Sequence, residues 1–211
     1  MSVHRFNGSA MIIMFRSDLK QVATGYCPHD GMRKFFGGKI ELADIQFNTS
    51  EEIVAMNCAF RELQAEAGIS QSDISFITKV HVRRWGRYDT FTKKRVSVFQ
   101  YFFIACAKES VPLPTKVDEE DEMTDRKFLD IHQVLTSWSL PYGDRERTNP
   151  IHAIALMRCL HFLEENISGD KRFESFFQML DRLEEKGVHR DTYIAEIEDA
   201  LSQEHLQLNR H

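Results

Sequence analysis

Apolar and polar positions change period several times along the chain, and each change marks an element. Residues 10–15 form an unbroken apolar run between Asn7-Gly8 and Ser17-Asp18, which predicts a buried strand. Asp30-Gly31 marks a turn, and Phe35-Phe36 leads into Gly37-Gly38. From Thr49 the period becomes helical. Ser50 suits an N-cap, Glu51 and Glu52 suit the positive end of the helix dipole, and Gly68 suits the C-terminus. Ile53, Met56, Phe60, Leu63 and Ala67 form one apolar stripe along that helix, which is expected to face the core.

Residues 74–84 and 96–107 are expected as strands, the second strongly aromatic, with a hairpin tip at residues 87–90. A loop over 108–125 carries two prolines and the run Asp118-Glu119-Glu120-Asp121-Glu122. A short strand over 128–131, a helix or turn over 132–136 and a loop over 140–149 follow. Thr148 is the expected cap of a helix with Pro150 in its first turn, running to about residue 165. Ser168-Gly169-Asp170 breaks the chain. Beyond it lie two amphipathic helices, one carrying Phe173, Phe176, Phe177, Leu180 and Leu183, the other Ile194, Ile197 and Leu201, with Gly187 between them. This order predicts an α+β fold, a sheet with helices on its faces, divided into a main domain over 1–167 and a helical extension over 168–211. The aromatic stripe of the extension is expected to pack back on the domain, with a homodimer contact as the alternative.

Composition adds exclusions. The 211 residues are 42% hydrophobic and 28% charged, as in ordinary globular domains. A formal net charge of −5 argues against bulk attraction to nucleic acid or an anionic membrane surface, though a local basic pocket for phosphates is compatible with it. Cys27, Cys58, Cys106 and Cys159 form no CxxC pair and sit among apolar neighbours, as buried free thiols do. With no spanning apolar run and no hydrophobic signal core, the expected location is cytoplasmic, away from membranes. The nine histidines show no HExxH or other zinc spacing, and neither a GxSxG elbow nor a P-loop is present.

The chemistry concentrates in Gly37-Gly38-Lys39-Ile40-Glu41-Leu42-Ala43-Asp44 and Arg61-Glu62-Leu63-Gln64-Ala65-Glu66-Ala67-Gly68-Ile69. Glu62 and Glu66 are one helical turn apart, so both carboxylates share a face, expected to be the one opposite the apolar stripe. Such a pair suits a hard cation, Mg²⁺ or Mn²⁺, which takes oxygen ligands and completes its shell with water and phosphate. The glycine pair allows close backbone approach, and Arg61 can hold a carboxylate through a forked hydrogen bond.

Together these segments resemble the Nudix box, G-x5-E-x7-R-E-U-x-E-E-x-G-U, with U aliphatic. Gly38 matches the first glycine, and Asp44 stands where the first Glu belongs. Arg61, Glu62, Leu63, Glu66, Gly68 and Ile69 match the second part. The resemblance covers roughly residues 8–165 and implies a Nudix-type α/β/α sandwich around a mixed sheet. It also implies a Mg²⁺- or Mn²⁺-dependent pyrophosphohydrolase that cleaves a diphosphate linkage in a nucleotide sugar, dinucleoside polyphosphate or related nucleotide. The implied metal ligands are Glu62, Glu66 and the Gly38 carbonyl, with Glu41 and Asp44 as further candidates. A loop carboxylate is also implied, Glu120 as general base or Glu122 as ligand, with Glu119 not distinguished from them.

Two departures qualify the match. Sixteen residues separate Asp44 from Arg61 where the pattern has seven, and the extra nine are expected as a longer loop and an added helical turn. Ala65 replaces the first Glu of the Glu-Glu pair, a usual metal ligand. These departures motivate an alternative, a catalytically weak or inactive nucleotide- or protein-binding module of the same fold. Arg84, Arg87 and Lys39 are candidate phosphate contacts, within a basic group that also holds Arg83, Lys93, Lys94 and Arg95. Trp85, Trp138 and Tyr142 are candidate stacking partners for a base.

Overall fold

The structure, a computed structural model, describes residues 8–46, 49–89, 93–108, 111–114 and 123–208. Within that span the side chains of 85–89, 94–96, 172 and 204–208 are outside the description.

Strand β1 (Gly8–Phe15) is the centre of one mixed sheet. It pairs in parallel along its whole length with β6 (Lys94–Ala107), from Gly8 opposite Phe99 to Phe15 opposite Cys106. Its other edge is shared. Antiparallel β4 (Phe36–Lys39) takes Ser9 to Ile12, and β2 (Gln21–Cys27) meets it at Phe15. β2 carries β3 (Met32–Lys34) and β7 (Thr124–Asp130), while β5 (Ile74–Asp89) forms a long antiparallel hairpin with β6.

A strand covered on both faces must be apolar at every position, and that is why residues 10–15 show no alternation. Successive side chains serve two separate cores. Ala10, Ile12 and Met14, with Tyr101, Phe103 and Ala105 of β6, face helix α1 (Glu51–Ala67). Ile13 and Phe15, with Phe102 and Ile104, face α2 (Ile131–Thr136) and α3 (Pro150–Ile167). The α+β sandwich expected from the sequence is therefore present, with a helical layer on each side of the sheet.

Several local expectations change in detail. Asn149, not Thr148, caps α3, its side chain accepting from the Ile151 N–H at 2.9 Å. Thr148 is buried and shares a hydrogen bond with Ser137. The hairpin strands run to Asp89 and from Lys94, beyond the expected 74–84 and 96–107, so Arg87, Tyr88 and Asp89 belong to a strand and not to the tip. β2 and β3 have no clear sequence signature, because polar Gln21, Thr24 and Arg33 interrupt their apolar residues. Arg33 is fully buried and explains the interruption. Its guanidinium reaches Thr24 on β2, both the backbone carbonyl and the carboxylate of Asp125 on β7, and Glu146 in the loop before α3. A buried guanidinium is tolerated only when its donors are satisfied, and these partners satisfy them while tying three segments together.

The terminal helices α4 (Glu174–Glu185) and α5 (Arg190–Leu208) turn at Gly187, whose φ of +84° favours glycine. Phe176, Leu180, Leu183, Tyr193 and Ile197 are buried in the same core as α3, so the aromatic stripe does pack back on the sheet domain. The Tyr193 hydroxyl donates to the Leu135 carbonyl at 2.5 Å, which satisfies its polar end.

His152, also in that core, is 3% exposed and accepts the Phe35 N–H through Nδ1 at 2.8 Å. Burial, then the nearby charges of Lys34 and Arg83, push its pKa down to about 3, so it is neutral in the fold. Because the unfolded chain protonates it near pH 6.5, stability is complete above that value and falls as pH drops towards 3. Urea denaturation of His152→Leu should show a loss of about 1–3 kcal/mol at pH 7, from the orphaned Phe35 N–H, and a flatter decline between pH 6.5 and 4. An unchanged pH slope would show that His152 does not supply this proton linkage.

Candidate functional site

The candidate site lies where α1 meets β4. Helix α1 begins as expected, with the Ser50 hydroxyl accepting from the Ile53 N–H at 3.4 Å, and ends at Gly68 in the left-handed conformation. The inserted residues lengthen the N-terminal half of this helix, and Phe47 and Asn48 lie outside the described residues.

The face that α1 presents to the sheet keeps most of the expected stripe, with Leu63 and Ala67 fully buried and Met56 and Phe60 packed against the core, but it is rotated away from Ile53. Ile53 is 40% exposed, and the buried residues are Val54, Ala55, Cys58, Ala59, Leu63, Glu66 and Ala67. Small side chains at 55, 58 and 59 are buried in this core, and the Cys58 thiol reaches the Gly38 and Lys39 carbonyls of β4. Glu62 and Glu66 therefore point towards the sheet and not away from it.

Gly37 and Gly38 form part of strand β4. Gly37 has φ of +152°, and a Cβ there would lie 2.1 Å from the Ala10 carbonyl oxygen. A Cβ on Gly38 would lie 2.3 Å from Glu62 Oε1. The space a side chain would fill is taken by the Glu62 carboxylate itself. Beside it, the Gly37 N–H donates to Glu66 Oε2 at 2.7 Å. Both acids thus rest on the backbone of the glycine strand, as close approach requires.

Arg61 organises the other edge. Its Nε and Nη2 fork onto the two oxygens of Asp44 at 2.9 and 3.1 Å, its Nη1 donates to Glu62 Oε1 at 2.7 Å, and Nη2 also reaches the Lys39 carbonyl at 2.9 Å. The carboxylate that Arg61 holds is thus Asp44, at 2% side-chain exposure, which also accepts the Glu41 N–H at 2.8 Å. Burial pushes the Asp44 carboxyl up, but the Arg61 and Glu41 hydrogen bonds outweigh it and leave its pKa below the ordinary value. With both oxygens occupied by Arg61, Asp44 acts as a structural anchor, not a free metal ligand.

Glu62 behaves in the opposite way. Burial raises its pKa more than Arg61 lowers it, and the charges of Glu41 and Asp44 add to the rise. Cys58, whose thiol donates to the Lys39 carbonyl at 3.3 Å, is pushed up to about 12 by burial and by Asp44, so it is an inert packing group. Arg126 on β7, which carries no motif in the sequence, donates to the Glu66 carbonyl and covers the C-terminal end of α1.

The remaining candidates are dispersed. Ala65 is exposed, between Glu62 and Glu66 in the sequence. Lys39 contributes its carbonyl, and its own position is exposed. Arg84 lies over Phe99, 5.6 Å from the ring centroid, and donates to Ser97. The Arg87 and Trp85 side chains lie outside the described residues, as do Asp118, Glu119, Glu120 and Glu122. Tyr142 is 74% exposed under the Arg147 guanidinium, and Trp138 packs against the α3 core. Among the described residues no three His, Cys, Asp or Glu side chains converge as a metal cluster, and no helix is long and apolar enough to cross a membrane.

Solved structures with a similar course include the C. elegans Ap4A hydrolase, 14% identical, with a TM-score of 0.46 over 74% of this chain and 97% of that one. The NUDIX domain of Shewanella oneidensis NrtR, in a complex with ADP ribose, is 13% identical, with a TM-score of 0.49 over 74% and 87%. A MutT protein from Bacillus halodurans is 17% identical, with a TM-score of 0.42 over 61% and 71%. In the comparison with curated proteins, none matches. The family model described as NUDIX domain matches residues 6–151, which spans β1, the glycine strand, α1 and the start of α3. On that match, covering well over half of the sequence, the chain belongs to the Nudix family.

Proposed function

We propose that the protein is a divalent-metal-dependent pyrophosphohydrolase acting on a nucleoside diphosphate derivative, such as a nucleotide sugar or a dinucleoside polyphosphate. The observation that carries the proposal is the seating of two acids, Glu62 and Glu66, on the Gly37-Gly38 backbone next to Arg61. Family membership supports hydrolysis as the reaction class.

The donors fit a hard dication in kind. They are carboxylate and carbonyl oxygens, on a strand whose glycines leave the backbone accessible. Glu62, Glu66 and the Gly38 carbonyl would hold Mg²⁺ or Mn²⁺, and a carboxylate from Glu120 or Glu122 would join them. When bound, such an ion neutralises diphosphate charge and lowers the pKa of an attacking water. The chain's own groups do the positioning. Arg61 locks onto Asp44 and so fixes where Glu62 sits, while the Gly37 N–H holds one oxygen of Glu66. Glu120 would accept the proton of the attacking water, and Arg84, Arg87 and Lys39 would contact phosphate. The proposed location is cytoplasmic.

One observation favours a second function, a nucleotide-binding module with little turnover. Ala65 offers no oxygen, and Glu62 and Glu66 each already accept a protein hydrogen bond. Hydrolysis of ADP-ribose, UDP-glucose and diadenosine tetraphosphate with Mg²⁺ or Mn²⁺ separates the two. Turnover that drops on the order of 100-fold in Glu62→Gln and in Glu66→Gln is the expected result. Tight nucleotide binding without turnover would make the protein a binding module.

Restoring the missing acid gives an independent check. Ala65→Glu should tighten Mn²⁺ binding about tenfold in calorimetry. Unchanged or weaker affinity would place the ion elsewhere.

A further inference from the structure

Strand β7 carries one residue too many opposite Gly25. The ladder pairs Tyr26 with Thr124 and Thr24 with Lys127, so Asp125 and Arg126 together face Gly25 and form a bulge. A bulge re-aims the side chains it carries, and these two point to different partners. Asp125 meets Arg33, whose guanidinium binds both its carbonyl, at 3.0 Å, and its carboxylate. Arg126 meets α1 and donates through Nε to the Glu66 carbonyl.

The bulge is held against a local cost. Asp125 has φ of +45°, in the left-handed region that L side chains avoid. Such a residue stays there only when its surroundings over-determine it. The two Arg33 contacts do so, and the residues just before it are fixed as well. The Thr124 hydroxyl donates to the Tyr26 carbonyl at 3.4 Å, and Met123 is buried against Gly25, where a Cβ would lie 3.2 Å from its Sδ.

The Glu66 carbonyl is a group that needs a donor. It belongs to the last turn of α1, where carbonyls lack intrahelical partners. The Gly68 N–H serves Gln64 and Leu63, and Arg126 serves Glu66. A guanidinium also suits the negative end of the helix dipole. Arg126 is 8% exposed and Glu66 9%, so water is poorly placed to substitute for the contact. Helix ends fray, and fraying at Glu66 would withdraw its carboxylate from the Gly37 N–H. Glu62 lies a turn earlier, where Arg61 holds it.

We propose that Arg126 is a positioning residue for Glu66. By satisfying the Glu66 carbonyl it keeps the last turn of α1 wound and the Glu66 carboxylate on Gly37, and the Arg33–Asp125 pair fixes the bulge that aims it. The consequence for metal affinity rests on the reading of Glu66 as a ligand, whereas the placement of Glu66 does not.

Glycine-selective ¹⁵N labelling of the metal-free full chain leaves ten amides to follow by NMR. In Arg126→Gln the Gly37 proton should move upfield as it loses its carboxylate partner, while Gly8, at the start of β1, stays in place. Arg126→Lys keeps the charge and one donor, and should restore most of the Gly37 position. Tyr193→Phe loses a buried hydrogen bond in the opposite core, so it should lower Tm without moving Gly37, which separates positioning from a general loss of stability. Calorimetry with Mn²⁺ should show affinity falling about tenfold or more in Arg126→Gln. A Gly37 signal unmoved in Arg126→Gln, or moved as far in Tyr193→Phe, would overturn the proposal. An unsubstituted chain without Mn²⁺ affinity, beside a displaced Gly37 in Arg126→Gln, would instead overturn the metal reading and uphold the positioning of Glu66.

Discussion

The closeness of α1 to β4 is the constraint on which the site depends. A helix normally stands off a strand by the width of the side chains between them. Here that spacing is small locally, because β4 presents Gly38 to Glu62 and the Cys58 thiol reaches the Gly38 and Lys39 carbonyls. The Glu62 carboxylate then occupies the volume of an absent Cβ, and the Gly37 N–H reaches Glu66. Neither contact survives if the helix moves outward. Both depend on β1 in turn, which is buried on both faces and paired along both edges, and so gives β4 a fixed partner.

On this frame a single arginine separates the behaviour of two acids. Arg61 meets Asp44 with a full fork and meets Glu62 with one hydrogen bond. Asp44 is consequently held ionised and structural, whereas burial raises the Glu62 pKa. A half-buried carboxylate of raised pKa is one whose charge a cation would favour, with release of a proton on binding. Replacing the usual first Glu with Asp44 costs this arrangement nothing visible, since the shorter side chain still reaches both nitrogens of Arg61. Ala65 differs, because no neighbouring oxygen takes the place of the missing acid among the described residues.

The long β5–β6 hairpin links this edge to the other face of the sheet. Strand alternation sends neighbouring residues in opposite directions. Arg84 lies over Phe99 and donates to Ser97, and it also borders the cavity under α3 and α5 that His81 and Arg83 line. The C-terminal helices close that cavity, and their aromatic stripe is consumed in the α3 core.

Periodicity and punctuation along the sequence determined the apolar core strands, the capped helix α1, the break at Gly187 and the spacing of Arg61, Glu62 and Glu66, because these rest on local rules of side-chain direction and backbone freedom. The same local rules missed β2 and β3, where buried Arg33 takes partners from β7 and the loop before α3, nearly a hundred residues and more away. They also centred the buried face of α1 too near exposed Ile53 and missed the small buried residues Ala55, Cys58 and Ala59 that lie beside Leu63 and Ala67. That Arg61 grips Asp44, that Arg126 covers the end of α1, and that Arg83 and Arg158 share a cavity were decided by tertiary structure alone. Each joins segments distant in the chain, and charge pairing depends on distance in space, which residue order does not encode.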